Sequence, residues 1–431
     1  ALVLSPFGAA NLGFPAVIRR ILRIVIQILR SFPALILALT ATFLFGLGTF
    51  AGTFAITLYT FAIMTKLTYE DASAADVKAY QALRAMGVSK YVAYIHGILP
   101  EIIPGFLTNA LYLLETNVRH SSILGYVGAG GIGLLLNEKI SWLEYDKVGT
   151  ILLMLFLTVC VIEYFSRYLA ALIRKERTIK KEQARLLLLF LAALFLICTF
   201  TLSLPDFSRT SPQTLRNMFA GFLQPDWSFF FSAEKDGLGY LLLETVCIAF
   251  IGTVIGAIVS APLAFLNTKR FVPAPVSFLF NLVIMVIRSV PFLVYGLIFI
   301  RVSGPGAFTG VLTLAVCSIG LLTKRFTEAL DALDLRPYHA LLAMGVRPLP
   351  AICHSVLPQL KPVFTSIILY RFDVNIREAS VLGLVGAGGI GAPLIFSMNQ
   401  YAWEKAGAIM LGLILFVWFI DMVSEKIGAG N

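Results

Sequence analysis

The 431-residue chain is 58% hydrophobic and 13% charged, with mean hydropathy +0.86 and a formal net charge of +10. Soluble domains carry about twice that share of charge, so too little polar surface is available to coat a water-soluble particle, and a soluble enzyme or a disordered polymer is excluded. Its apolar residues come in unbroken runs, not the short alternating segments of a barrel, so the chain reads as an α-helical polytopic membrane protein.

The first long run, Phe32–Thr65, holds 34 residues without a charge. A span needs roughly 20, so Gly46, Gly48 and Gly52 are read as a break between two short helices. A polar stretch follows, Gln81-Ala82-Leu83-Arg-Ala-Met-Gly87, then nine residues, then Gly97-Ile-Leu99-Pro100. Alanine, leucine and methionine favour helix, Gly87 permits a sharp reversal, and Pro100 suits the first turn of the next helix. The expected object is a short surface helix fixed to a membrane helix. Next come Glu115, Asn117 and Arg119 beside Ser122, then a glycine-rich run from Gly125 through Gly128 and Gly130 to Gly133. No strand precedes Gly128-x-Gly130-x-x-Gly133, so a dinucleotide fingerprint fails, and no Walker A sequence occurs.

Between Arg167 and Arg185 stand seven basic and two acidic residues, whereas Pro205–Asp236 carries three basic and four acidic. That asymmetry places the first loop, with Lys180, in the cytoplasm and the second, with Lys235, outside. It also accounts for the net charge without a nucleic-acid partner. Leu186–Leu204 is one 19-residue span between these loops, and Tyr240–Leu266, 27 residues with only Glu244 charged, is another. The five cysteines and four histidines form neither a disulfide framework nor a metal site.

Residues 30–133 align with 288–391 at a constant offset of 258 without a gap, and 41 of these 104 positions are identical. A period this long indicates two homologous halves, and equivalent segments an even number of spans apart make those halves parallel. The second polar stretch reads His339-Ala340-Leu341-Leu-Ala-Met-Gly345, then nine residues, then Ser355-Val-Leu357-Pro358. The second intramembrane cluster is Asp373, Asn375, Arg377 and Ser380, followed by Gly386 and Gly388. The expected organisation is a first transmembrane half at 1–177, a basic linker with an extra span and external loop at 178–238, and a second half at 239–431. About ten spans follow, four plus six. Ala1 corresponds to position 259 in the second half, so the first half is expected to have begun with helices that precede this sequence.

The four-residue spacing sets each acid and its arginine on one helical face. They read either as a self-contained ion pair or as an anion path. Lys66–Glu70 and Lys324–Glu328 read as solvated salt bridges.

The polar stretch resembles the EAA loop of ABC-importer permeases, with Gln81 and His339 in place of its leading acid and Gly97 and Ser355 in place of its isoleucine. Together, the repeated Asn-[Val/Ile]-Arg, Ser-x-Leu-Gly-x-Val-Gly-Ala-Gly-Gly-Ile-Gly, Arg-Ser-x-Pro and Gly-x-Gly-x-Phe-x-Gly patterns closely resemble the phosphonate-type permeases, over residues 6–175 and 239–428. The resemblance implies MetI-like halves in a bacterial inner membrane, importing phosphonate or a related phosphorus oxyanion. It implies two copies of a cytoplasmic ATP-binding subunit docking on the polar stretches, and an extracytoplasmic substrate-binding protein. ATP and Mg would sit on that ATPase, leaving this chain no cofactor and no catalytic residue. The resemblance makes Gln81, Ala82, Leu83, Gly87, Leu99, Pro100, His339, Ala340, Leu341, Gly345, Leu357 and Pro358 candidates for ATPase coupling. Asn117, Arg119, Ser122, Gly128, Gly130, Asn375, Arg377, Ser380, Gly386 and Gly388 are the candidates for the substrate path. Rival readings are an importer of another small solute or a secondary transporter, which would need no docking helix. A membrane enzyme would need a catalytic cluster.

Overall fold

A computed structural model describes residues 1–173, 181–202, 212–232 and 237–429. Most of the basic linker, at 174–180, and Lys235 lie outside the described residues, so the topology markers Lys180 and Lys235 do too. Among the described residues every regular element is helical. The chain forms two compact units, Ala1–Leu215 and Arg216–Asn431.

The first unit runs α1 (Ser5–Gly8), α2 (Ala16–Ser31), α3 (Ala34–Phe45), α4 (Thr49–Ala74), α5 (Lys78–Ala85), α6 (Lys90–Gly97), α7 (Leu99–Leu124), α8 (Ile132–Ser141), α9 (Tyr145–Ile173) and α10 (Lys181–Phe200). The boundary between units falls in α11 (Pro212–Leu223). Then come α12 (Trp227–Phe230), α13 (Leu238–Asn267), α14 (Ala274–Ser289), α15 (Phe292–Ser303), α16 (Ala307–Asp331), α17 (Arg336–Ala343), α18 (Pro348–Ala351), α19 (Leu357–Leu382), α20 (Gly391–Asn399) and α21 (Trp403–Ala429). Among the described residues, six helices are long and apolar enough to cross a membrane, or up to nine if each sharply bent pair crosses as one. Those nine comprise four in the first repeat and five in the second. The separate apolar helix expected at 186–204 forms as α10, inside the first unit.

One expectation is corrected. The break in the first apolar run lies at Gly46–Gly48 alone, where both glycines take positive φ (82° and 149°), and α4 then runs 26 residues straight through Gly52. Gly52 serves packing instead: a Cβ there would lie 2.6 Å from the Ala129 carbonyl oxygen. The segments through Pro33 and Pro291 are sharply bent. α14 and α15 meet at 85°, and α2 and α3 at 88°, because Val290 and Phe32 are extended before their prolines.

Small residues let the long helices approach. In the second unit, a Cβ on Gly252 or Gly256 of α13 would come within 2.8 Å of Leu314 and 2.5 Å of Ser318 on α16. Such close contact replaces the hydrophobic drive that lipid cannot supply between helices.

Candidate functional site

Each polar stretch forms a helix, a left-handed glycine and a return. α5 ends where Val88 N–H donates to the Leu83 carbonyl at 3.2 Å, across Gly87 with φ +83°. α17 ends alike, with Val346 N–H on the Leu341 carbonyl at 3.1 Å and Gly345 at φ +81°. This double closure is a Schellman-type cap, which an L-residue disfavours at the glycine. Leu99 and Leu357 open the following long helices, with Pro100 and Pro358 in their first turns.

Both short helices present the same face. Gln81, Ala82 and Met86 are exposed, as are His339, Ala340 and Met344, while Leu83 and Leu341 are half-buried toward the protein. Beneath α5 lies a cluster of Leu12, Ala72, Tyr80, Tyr94, Ile98 and Ile102, and the Tyr80 hydroxyl donates to the Leu12 carbonyl at 2.6 Å. Beneath α17 the cluster is Phe326, Leu330, Val356 and Leu360, with Phe326 stacked on Phe364 at 3.9 Å. The helices are therefore seated rigidly on membrane helices rather than hanging in a loop.

Sequence reading missed a repeated acid at each entrance. The Asp76 carboxylate accepts the Lys78 N–H at 3.0 Å, and Asp334 accepts the Arg336 N–H at 3.0 Å. These bonds, with the neighbouring Lys78 and Arg336 side chains, hold both carboxyls below the ordinary value. Their support is thus present at neutral pH and lost as pH falls through the lowered value. The two copies differ at the return: Gly97 lets a Cβ-free surface approach Tyr80 N, where a Cβ would sit at 2.8 Å. Ser355 stands there in the second copy, and the return includes a π-turn at Ile352–Val356.

Inside the membrane, Arg119 pairs with Glu115 and Arg377 with Asp373, each one helical turn apart. The ion-pair arrangement is therefore formed in both copies. Asn117 exchanges hydrogen bonds with Thr60, with its amide donating at 2.9 Å. Asn375, fully buried, donates to Ser318 at 2.9 Å and to Thr253 at 2.7 Å. Thr60 and Ser318 are repeat equivalents. The hydroxyls of Ser122 and Ser380 donate to the carbonyls of Arg119 and Arg377, at 2.6 and 2.7 Å. Their protons are committed to their own helices.

The glycine-rich segments are packing turns. Gly128, Gly130, Gly386 and Gly388 all have positive φ. Gly48 N–H donates to the Gly128 carbonyl at 3.0 Å, and Gly306 N–H to Gly386 at 2.9 Å. Each segment is thereby bound to the glycine turn at the start of α4 or α16. In the second unit α13 adds a clasp, since Glu244 accepts the Gly389 N–H and Thr245 the Ile390 N–H, both at 3.1 Å.

The second copy also contains a buried ion pair that sequence reading missed. Arg371, 4% exposed, donates to Glu378 at 2.8 Å and to Ser318 at 3.1 Å. The equivalent positions in the first copy are Leu113 and His120, with His120 against the Tyr59 ring. Lys66–Glu70 and Lys324–Glu328 approach to 3.5 and 3.9 Å at partly exposed positions.

The family described as binding-protein-dependent transport system inner membrane component matches residues 3–178 and 252–427. The chain is 28% identical over 429 residues to the phosphate-import permease protein PhnE of Mycolicibacterium smegmatis, covering 98% of this chain and 80% of that one. It is 36% identical to the phosphite transport system permease protein PtxC of Stutzerimonas stutzeri, over 42% of this chain and 67% of that one. A putative cryptic phosphonate transport system permease protein of Escherichia coli is 36% identical over 27% of this chain and 96% of its own length.

Proposed function

The chain belongs to the family of binding-protein-dependent transport system inner membrane components, and from that premise we propose that it is the permease of an ATP-driven importer for phosphate, phosphite or phosphonate in a bacterial inner membrane. The substrate class rests on the phosphate, phosphite and phosphonate permeases it resembles. The observation that carries the mechanism is the duplicated surface helix, capped by a left-handed glycine and seated on an apolar cluster. A secondary transporter has no use for two such docking helices.

ATP binding would close two copies of a separate ATPase, which supply the nucleotide chemistry. The exposed residues Gln81, Ala82, His339 and Ala340 would meet the ATPase. Leu83, Leu341, Gly87 and Gly345 would hold each helix in shape, and Leu99-Pro100 and Leu357-Pro358 would pass its motion to α7 and α19. A rigid seat is what transmission requires, since a hinged helix would move without moving the span.

In the path, Arg119 and Arg377 would meet the oxyanion, each oriented by its acid, because a guanidinium fork matches tetrahedral oxygens. Asn117 and Asn375 would position these helices through Thr60 and Ser318. Ser122 and Ser380 would act through the arginine carbonyls they bind, and Gly128, Gly130, Gly386 and Gly388 would let the segments pack closely. A binding protein would deliver substrate from outside.

The test is reconstitution in liposomes with a partner ATP-binding subunit and substrate-binding protein. ATP hydrolysis should rise when the binding protein is loaded with an oxyanion. Hydrolysis indifferent to the loaded binding protein would remove the importer reading.

A further inference from the structure

The segment preceding the second repeat's first helix is held firmly yet exposes large apolar side chains. On α11 and the turn after it, the polar residues Asn217, Gln224 and Asp226 line a cleft shared with Glu404 and Lys405 at the start of α21. Four large apolar side chains are left exposed: Phe219, Leu223, Trp227 and Phe231 at 56%, 82%, 55% and 75%. The segment is not a loose loop. Met218 is buried, Phe222 packs edge-on against Trp403, and a Cβ on Gly221 would lie 2.4 Å from that of Trp403. Asp226 accepts the N–H groups of Ser228 and Phe229, and its own N–H donates to Glu404 at 3.0 Å. Lys405 Nζ sits 4.6 Å from the Phe229 ring.

α12 touches both α13, which it shortly precedes in the chain, and α21, whose first turn holds Glu404 and Lys405 against Asp226 and Phe229. It therefore lies at one end of these spans. The other end of α13 is where Thr268 binds Asp331, next to α17. α13, against which α12 packs, also exposes apolar side chains near its start, Tyr240 and Leu243. A rigidly seated element that exposes large aromatics, at the end of two spans, has the form of an interfacial anchor.

We infer that α11 and α12 form a lipid-binding foot: Trp227 and Phe231 insert at the headgroup boundary of the leaflet opposite the coupling helices, with Phe219 and Leu223 beside the acyl chains. The occupant is lipid rather than a docked protein because α12 rests against α13, a membrane-spanning helix whose neighbouring Tyr240 and Leu243 are exposed too. The reading depends on the membrane fold alone and not on the solute carried.

The experiment places the full chain in lipid nanodiscs with Trp142, Trp403 and Trp418 replaced by phenylalanine, leaving Trp227 as the reporter. Lipids brominated high on the acyl chain should remove most of its emission, and aqueous iodide little. A second probe, an environment-sensitive fluorophore on Ser228→Cys in a background lacking the five native cysteines, covers any damage from replacing Trp403, and should show the same pattern. Iodide quenching equal to that of free tryptophan, with none from brominated lipid, would overturn the foot. So would iodide access that disappears when a loaded binding protein is added, because the patch would then be a protein dock.

Discussion

Glu378→Ala isolates the buried ion pair of the second unit. Arg371 is 4% exposed, and its guanidinium is held by Glu378 at 2.8 Å and by one hydroxyl, Ser318, at 3.1 Å. Removing the acid leaves a charge with a single neutral partner in a low-dielectric site. Breaking such a pair costs about 3–5 kcal/mol, whereas replacing both members by apolar groups is often neutral. For a unit of this size each kcal/mol shifts the melting midpoint by roughly 2–4 °C, so the single variant should melt roughly 10 °C below the parent. The first repeat supplies the control, because it carries Leu113 and His120 at these positions. Arg371→Leu combined with Glu378→His should therefore melt within about 3 °C of the parent, since no unpaired guanidinium remains. The assay is thermal unfolding of detergent-purified protein followed by cysteine-reactive dye or tryptophan emission. A single variant melting with the parent, or a double variant melting as low as the single, would refute the reasoning.

Other outcomes follow from the same geometry. Gly345→Pro removes the Gly345 N–H bond to Leu342 and a φ of +81° that proline cannot adopt; membrane insertion should persist while ATPase stimulation and uptake fall by most of their value. Gly388→Ala should cost about 1–2 kcal/mol from its left-handed backbone alone, plus a clash with Ala307 at 2.8 Å, read as a lowered melting midpoint. Leu143 holds φ +62° at an exposed helix end, so Leu143→Gly should stabilise by up to about 1 kcal/mol, read the same way. Glu115→Gln with Arg119→Gln removes the pair without leaving a lone charge; uptake should stay defective if Arg119 meets the oxyanion, and full recovery would make the pair purely structural.

Much of this was legible because apolar runs and reversals leave local signals. Gly87 and Gly345 were readable as turn residues, and Arg377 as the partner of Asp373, because both depend on neighbours within one turn. Gly52 misled because a glycine in an apolar run marks either a break or a close contact, and only the position of Ala129 separates them. The bends at Pro33 and Pro291 were written in the prolines, but their size depends on how α2 and α14 pack. The Arg371–Glu378 pair has no counterpart in the first half, so the repeat does not mark it. The signal was the joint difference from Leu113 and His120, seven residues apart and so on one face of α19. Ser122 and Ser380 stood among the substrate-path candidates, but each spends its proton on a carbonyl one turn back.

The central claim, an ATP-driven permease for a phosphorus oxyanion, is tested most directly by uptake into liposomes holding this chain and its ATP-binding subunit, with the binding protein outside. Labelled phosphate, phosphite and methylphosphonate would be supplied in separate arms, each with ATP or a non-hydrolysable analogue inside. At least one should accumulate with ATP alone. Accumulation of none of the three, or equal accumulation with the analogue, would contradict the account.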